Sequence, residues 1–313
     1  MTPGPQARYG YFGPAGTFTQ MALLSWQPGE GAEHVPYSSV ENALDAVRAG
    51  EVDGAMVPIE NSVEGGVSAT LDALASGDPL VVVAEVLVPI TFVLAARAGM
   101  PLGSVRAIGT HSHAWAQVRG WTAANLPDAA YVPTLSTAAA AAGLAAEENS
   151  AAYDAAVCAP VAASNHGLEL LATDIGDNAS AVTRFVLVAA PGSLPTPTGA
   201  DKTTLVLFQR DDHAGGLLEL LEQFAVRGIN MSRLESRPTK ESMGSYCFSI
   251  DIEGHVLDER VGEALVGLKR VCADVRFLGS YPAAHGTAVH VTPHTTDAAF
   301  STARAWLRSV RNG

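Results

Sequence analysis

Val182-Thr183-Arg184-Phe185-Val186-Leu187-Val188 sets a hydroxyl beside a permanent cation inside an otherwise apolar run. The alternation and the β-branched residues predict a buried strand, in which Thr183 and Arg184 point to opposite faces. Both reach one ligand only where such a strand ends or twists at a cleft. A buried guanidinium also needs an anion, and on these residues alone a structural arginine–carboxylate pair explains the pattern as well as a bound anion does.

Around this stretch, from Arg8 to Ala189, short apolar runs alternate with helix-period segments: Tyr9 to Phe12 before Phe18 to Trp26, Gly54 to Ile59 before Val67 to Leu74, and Val105 to Gly109 before Ala114 to Ala124. Such alternation predicts an α/β domain with a largely parallel sheet. Ser38-Ser39-Val40-Glu41 reads as a capping box opening a helix from Val40 to Arg48. Leu80 to Ala96 is strand-like but about twice the usual strand length, as expected where a chain crosses from one lobe to another. Ser136 to Ala146 is so rich in alanine that it predicts a helix packed closely on its neighbours.

Pro191 to Gly199 breaks all periodicity and reads as a linker. Beyond it, Lys202 to Gln209, Ile229 to Leu234, Tyr246 to Ile252 and Val275 to Ser280 alternate as strands. Leu217, Leu218, Leu221 and Phe224 mark one helix face, and Val261, Leu265, Leu268 and Cys272 another. The order is βαββαβ, a ferredoxin-like arrangement. Phe300 to Val310 carries a helical apolar stripe with Arg304, Arg308 and Arg311, expected as a surface-packed tail.

The 313 residues suffice for two domains, and 48% hydrophobic against 16% charged content fits well-buried cores. A net charge of −13 argues against nucleic acid or an anionic membrane as a partner, so any anionic substrate must be held by local cations. No stretch reaches the ~18 apolar residues of a membrane span, and Met1 to Arg8 has no signal-peptide pattern. The three cysteines, Cys158, Cys247 and Cys272, lie far apart in apolar settings and suggest neither disulfides nor a metal site. A cytoplasmic location is expected.

Four further segments decide how Arg184 is read: Gly13-Pro14-Ala15-Gly16-Thr17-Phe18-Thr19, Pro58-Ile59-Glu60-Asn61-Ser62-Val63-Glu64-Gly65, Ser136-Thr137-Ala138-Ala139 and Glu235-Ser236-Arg237-Pro238. With Thr183-Arg184-Phe185, in this order and at these distances, they resemble the prephenate dehydratases that carry a C-terminal ACT regulatory domain, over Tyr9 to Tyr281. The resemblance implies a two-lobed catalytic domain similar to the type II periplasmic binding proteins over 8–190, a linker over 191–201, an ACT domain over 202–283 and a tail over 284–313. It also implies a homodimer or homotetramer.

The implied reaction removes carbon dioxide and hydroxide from prephenate to leave phenylpyruvate, and aromatisation drives it without a cofactor or metal. Such a site needs a carboxylate clamp and a donor to the departing hydroxide. Arg184 offers the fork, and Thr183 takes the family's catalytic position; being far too weak an acid to ionise, it is expected to act as a placed donor. Thr17, Asn61, Ser62, Ser136, Thr137 and Phe185 match the family's substrate contacts. Helix capping explains Thr17 and Ser136 equally well, and Glu64 reads as a general acid only if desolvated.

The chain departs from the family at His111-Ser112-His113, where His-Pro-Gln is usual, and at Ala181, where an asparagine is common. Gly215, Gly216, Leu217, Asn230, Glu235 and Ser236 match the family's phenylalanine site at the subunit interface, with Ala214 and Gly216 in place of proline and alanine. Two glycines at a helix start beside Asn230 would cradle a zwitterion. Feedback regulation by L-phenylalanine follows, carried through the linker. An arogenate dehydratase and a non-catalytic two-lobed sensor of aromatic acids stay open as alternatives.

Overall fold

The computed structural model describes residues 6–26, 31–63, 65–146, 151–239 and 246–313. The chain divides into two compact units, Met1–Val67 with Val86–Phe185, and Ser68–Glu85 with Val186–Gly313. It begins with β1 (Arg8–Phe12), α1 (Phe18–Trp26), β2 (Glu33–Tyr37), α2 (Val40–Arg48), β3 (Gly54–Asn61), the short β4 (Gly65–Gly66), α3 (Ser68–Ala75) and β5 (Val81–Pro89). There follow β6 (Val93–Ala96), β7 (Ala107–Thr110), α4 (Ser112–Gln117), α5 (Arg119–Asn125), β8 (Ala130–Pro133), α6 (Thr137–Ala145), β9 (Ala155–Cys158), α7 (Pro160–Asn165) and β10 (Glu169–Ala172). The remainder is β11 (Val182–Ala189), β12 (Asp201–Phe208), α8 (Gly216–Ala225), β13 (Met231–Pro238), β14 (Tyr246–Glu253), α9 (Glu259–Val271), β15 (Asp274–Pro282) and α10 (Asp297–Arg311).

The first sheet has the order β2-β1-β3-β11-β5, with β4 on β3, and the second has the order β10-β6-β9-β7-β8. The long apolar run Leu80 to Ala96 is therefore two strands in different sheets, β5 and β6. Both sheets are mixed rather than largely parallel: β1 runs parallel to β2 and β3, and β7 to β8 and β9, but β6 pairs antiparallel with β9 and β10. The chain enters the second sheet through β6, the one strand of its five-strand order that runs against the others, and leaves it through the edge strand β10.

Strands covered on both faces read as unbroken apolar runs, and β6 and β9 show why. Leu94, Ala96 and Val157 join a core with Phe92, Ile108 and Val118, whereas Val93, Ala95 and Cys158 pack against Ala141 of α6 and Ala162 and Ala163 of α7. The alanines of α6 allow the close approach that its composition predicts, since Ala138, Ala140 and Ala141 are buried.

Two helix starts differ from expectation. The cap of α2 is Ser39, whose side chain accepts from Asn42 N, and Asn42 Nδ2 reaches back to Ser38 Oγ at 2.9 Å. Asn42 rather than Glu41 thus closes the turn. The expected helix Ala114 to Ala124 breaks at Val118, where φ is −124°. Asp177 explains the break: its carboxylate accepts from Gly120 N at 2.8 Å and Trp121 N at 2.9 Å, satisfying the orphan donors of α5 from a distant loop.

In the second unit the sheet order β13-β14-β12-β15 is fully antiparallel and realises the βαββαβ pattern. One face, with Leu205, Leu207, Ile250 and Ile252, packs on Leu220 and Phe224 of α8 and Val261 and Leu268 of α9. The other face is polar. Buried Arg233 makes a two-pronged pair with Asp251, Nε to Oδ2 at 2.8 Å and Nη2 to Oδ1 at 3.0 Å, and Thr204 joins Asp251 to Tyr281 through 2.7 Å bonds.

Segment 68–85 lies against this polar face. Lys202 Nζ donates to both oxygens of buried Glu85, at 2.9 and 3.1 Å, and Gly279, at φ +116°, lets its backbone meet Val82 where no side chain would fit. α10 is tied to α9 by Arg304, which pairs with Glu259 and Glu263. Its apolar stripe faces outward instead of packing, with Trp306 and Val310 exposed and no residue of the helix buried.

Candidate active site

β1 and β3 are parallel, so their carboxyl ends share one edge of the first sheet. On β3 and β11, Ser62 N donates to Val182 O at 2.9 Å, Asn61 bonds Thr183 and Glu60 faces Arg184. Numbers rise on one strand as they fall on the other, so β11 is antiparallel to β3 and its first residues lie at that same edge. Gly13 to Thr17, Asn61-Ser62 and Val182-Thr183-Arg184 therefore gather at one end of the sheet, although up to 171 positions separate them in sequence.

In the second sheet the parallel strands β7, β8 and β9 deliver His111, Ser136-Thr137 and Pro160 to one edge in the same way. The two edges meet at Gly16. It has φ +89°, and a Cβ there would lie 3.0 Å from Ala162 Cβ and 3.5 Å from Ala138 Cβ. Only glycine permits this turn and this approach, which set the start of α1 against the start of α6. Phe18 packs edge-on to Phe92, with ring centres 5.7 Å apart. A crevice outside the carboxyl ends of strands, flanked by helix starts, is where α/β sheets bind ligands.

Asn61 Nδ2 donates to Thr183 Oγ1 at 2.7 Å, while Asn61 Oδ1 accepts from Val63 N at 2.8 Å. The Val63 donor fixes the amide's orientation, because a flipped amide would set N–H against N–H. Thr183 Oγ1 is thus the acceptor, and its own hydrogen is left to donate. Ser62 Oγ accepts from Val182 N at 2.9 Å and locks this register instead of pointing away as a free hydroxyl.

Thr183 and Arg184 do face opposite sides. Thr183 shares its face with buried Phe185, and Arg184, also buried, approaches Glu60 Oε2 with Nε at 3.5 Å. Being the second and third residues of β11, both lie where the strand opens at the sheet edge. The Arg184–Glu60 pair is loose, and the Glu60 side chain keeps 38% of its exposure.

The other predicted hydroxyls cap helices. Thr17 Oγ1 donates to Phe12 O at 3.3 Å and accepts from Gln20 N at 3.4 Å, and Ser136 Oγ accepts from Ala139 N at 2.9 Å. Thr137 is the first residue of α6, half-buried beside the Gly16 contact. His111 caps α4, and His113 is exposed with its ring edge-on to His111 at 5.1 Å. Glu64 lies outside the described residues. Among those described, no group of acidic, histidine or cysteine side chains could hold a metal ion, and no helix is long and apolar enough to cross a membrane.

The regulatory candidates form no single cluster. Gly215, at φ +92°, opens α8, and a Cβ on Gly216 would meet Gln209 Nε2 at 2.7 Å. A cavity of about 230 Å³ adjoins them, lined by Gln209, His213, Gly216 and Glu219 among others. His213 bridges to Glu219 at 3.2 Å, and its bonds to Asp211 O and Glu219 raise its pKa. Leu217, on the outer face of α8, and Ser236 on β13 are exposed, and Glu235 Oε1 is 4.0 Å from Arg233.

Asn230, expected beside the glycines, instead precedes β13 and bonds Glu253 at 2.8 Å, level with Lys202. Seven residues of β12 separate that level from Gln209, roughly 20 Å at the rise of a strand. The βαββαβ winding is the reason, since α8 returns the chain to the far end of the sheet before β13 begins.

The sequence family described as prephenate dehydratase matches residues 9–193. A prephenate dehydratase of Amycolatopsis methanolica is 47% identical over 308 residues, covering 98% of this chain and 99% of that one. Among solved structures, a prephenate dehydratase from Arthrobacter aurescens in complex with L-Phe has a TM-score of 0.93 at 55% identity, covering 98% of this chain and 100% of that one. GqqA, described as a novel type of quorum-quenching acylase, has a TM-score of 0.79 at 30% identity, covering 88% of this chain and 98% of its own.

Proposed function

The chain belongs to the prephenate dehydratase family, and from that premise we propose how its residues convert prephenate to phenylpyruvate. The observation that carries the reading is the Asn61–Thr183 hydrogen bond. With the Asn61 amide donating to its oxygen, the Thr183 hydroxyl turns its hydrogen towards the ring oxygen of prephenate as that oxygen leaves. As the ring carboxylate departs as carbon dioxide, its electron pair moves through the ring and expels hydroxide, which takes up a proton from solvent as water. Thr183 emerges unchanged, having stabilised charge that develops only in the transition state.

Arg184 holds a substrate carboxylate in place of Glu60, and the starts of α1 and α6 offer N–H donors to the other, with the hydroxyls of Ser136 and Thr137 beside them; Thr17, whose hydroxyl donates to Phe12 O, takes part through its backbone. Phe185 backs Thr183 from the core. An acylase using Thr183 as nucleophile needs a base at its oxygen. The observed partner is an amide, which takes no proton, so the geometry favours elimination.

The fold reading is a two-lobed catalytic domain similar to the type II periplasmic binding proteins, supported by the two sheets that β5–β6 and β10–β11 connect. An ACT domain over 202–283, joined through 191–201, is supported by the antiparallel βαββαβ sheet. Phenylalanine regulation rests on the cavity at Gly216 and on the Arthrobacter relative, which holds L-Phe.

Asn230 and Gly216 stand at opposite ends of one sheet, so a site using both takes them from two chains. β13 is the sheet's edge strand, and pairing it antiparallel with β13 of a second copy sets Asn230 level with the second copy's Gly216. A homodimer is the smallest such assembly. The test is phenylpyruvate formation from prephenate with and without phenylalanine, beside phenylalanine formation from arogenate. Turnover of arogenate alone would shift the substrate, and turnover of neither would leave the sensor reading.

A further inference from the structure

Helix α3 is held from both edges of the four-stranded sheet. Arg237 Nε of β13 donates to Asp72 Oδ1 at 3.0 Å, and the pair is about three-quarters buried. From the other edge, Arg276 Nη1 of β15 donates to Ser76 O and Gly77 O, each at 3.0 Å, closing the carboxyl end of α3. Between them Lys202 holds Glu85 at the middle of β5. Segment 68–85 is thus fastened to the polar face of the sheet by three cations on three strands.

The same segment leads at each end to one of the strands that carry the Asn61–Thr183 bond. Two residues before α3, β4 pairs with the end of β3, Gly65 with Asn61. Beyond Glu85, β5 continues beside β11, which carries Thr183. A shift of segment 68–85 with the four-stranded sheet therefore pulls on β3 through β4 and on β11 through β5, and the 2.7 Å bond between Asn61 and Thr183 lies where the two pulls meet.

Arg237 belongs to the run Glu235-Ser236-Arg237 on the edge strand β13, where a second copy and the effector come together in the regulatory reading above. Its carboxylate partner is the contact most directly exposed to a change at that edge. We propose that the Arg237–Asp72 pair is the coupling contact, a positioning pair through which effector binding at β13 moves α3 and weakens the Asn61–Thr183 hydrogen bond. The inference rests on phenylalanine regulation and replaces the linker as the route of the signal. An effector acts only by binding one arrangement better than another, so the pair must differ in strength between the two.

The experiment uses the full-length chain carrying Asp72→Asn, which keeps the side chain's shape and removes its charge. Basal kcat and KM for prephenate and phenylalanine affinity by equilibrium dialysis are expected within about twofold of wild type, while the concentration for half-inhibition rises ~tenfold or more, as loss of a typical coupling requires. Reversing both charges, Asp72→Arg with Arg237→Asp, should restore inhibition that Arg237→Asp alone abolishes. Undiminished inhibition in Asp72→Asn overturns the proposal. So does loss of phenylalanine binding with inhibition, which would make the pair part of the effector site. A wild-type enzyme indifferent to phenylalanine would instead overturn the regulatory reading itself, and the coupling with it.

Discussion

Asn61 donates to Thr183 across 122 positions of sequence, and the backbone of Val63 holds the amide with its N–H side towards that hydroxyl. The hydroxyl's direction is therefore set by a strand end and a turn rather than by the strand on which Thr183 sits.

Replacing Asn61 by aspartate should reverse that direction. A carboxylate accepts from Val63 N as the amide does, but it also accepts from Thr183, turning the hydroxyl's hydrogen away from substrate. The expected result is a fall in kcat of about 10²-fold with little change in KM, similar to Thr183→Ala, because both remove a donor that acts in the transition state. Wild-type kcat in either folded variant would rule out Thr183 as the donor, whereas Thr183→Ser should retain most of the activity.

Arg184→Lys should act on KM. A point charge cannot replace a planar fork, and the shorter reach leaves Glu60 to compete, so KM for prephenate should rise about tenfold or more with kcat changed less. Steady-state kinetics separate the two parameters, and an unchanged KM would leave Arg184 as a purely structural partner of Glu60.

Burial raises the Cys158 thiol to about 12 and the Cys272 thiol to about 11, and raises Cys247 as well. A raised thiol is protonated and unreactive at lower pH, and all three side chains are buried. At pH 8 the native protein should give no prompt reaction with an aromatic disulfide reagent, and three equivalents once denatured. A fast native equivalent would reveal local opening at that cysteine.

Much of this architecture is legible in the chain because strands and helices with one buried face announce their period. α1 and α2 fall on the predicted residues, and the hydroxyl–cation pair opens β11 as expected. What escaped is set by long-range partners. The helix from Ala114 to Ala124 looks continuous until Asp177 caps its second half. β2, half-exposed with Pro36 in its middle, lacks the apolar alternation of a strand and owes its form to parallel pairing with β1. At the site, residue types named Thr183 and Asn61 separately, but their bond could not be read from spacing. Nothing local marks Asp72 as the partner of Arg237, because a lone aspartate on an amphipathic helix has no sequence signal.

The buried pair Arg233–Asp251 offers a stability test outside the site. Asp251→Ala removes the two-pronged carboxylate partner of a guanidinium at 3% side-chain exposure, with Glu235 at 4.0 Å a poor substitute, a defect expected to cost about 3–5 kcal/mol. Arg233→Met with Asp251→Leu removes both charges and should cost less than the single change, although Thr204 and Ser249 lose partners. Urea unfolding of the three proteins gives the comparison, and a single change costing under about 1 kcal/mol would mean that water replaces the carboxylate.

The last prediction concerns the roughly 20 Å between Asn230 and Gly216. If one phenylalanine site takes Asn230 from one chain and Gly216 from the other, Asn230→Ala and Gly216→Val each spoil both sites of their own homodimer. The valine does so by filling the cavity of about 230 Å³ beside Gln209 and His213. A hybrid dimer of the two variants gathers both lesions into one site and leaves the other intact. Purified through two different affinity tags, the hybrid should bind one phenylalanine per dimer with wild-type affinity, while neither parent binds at the same concentration. A site built within each chain predicts the opposite, since every site in the hybrid would then carry one lesion. Calorimetric stoichiometry distinguishes the two, and a hybrid that binds nothing would remove the intersubunit site and with it the need for β13 to pair.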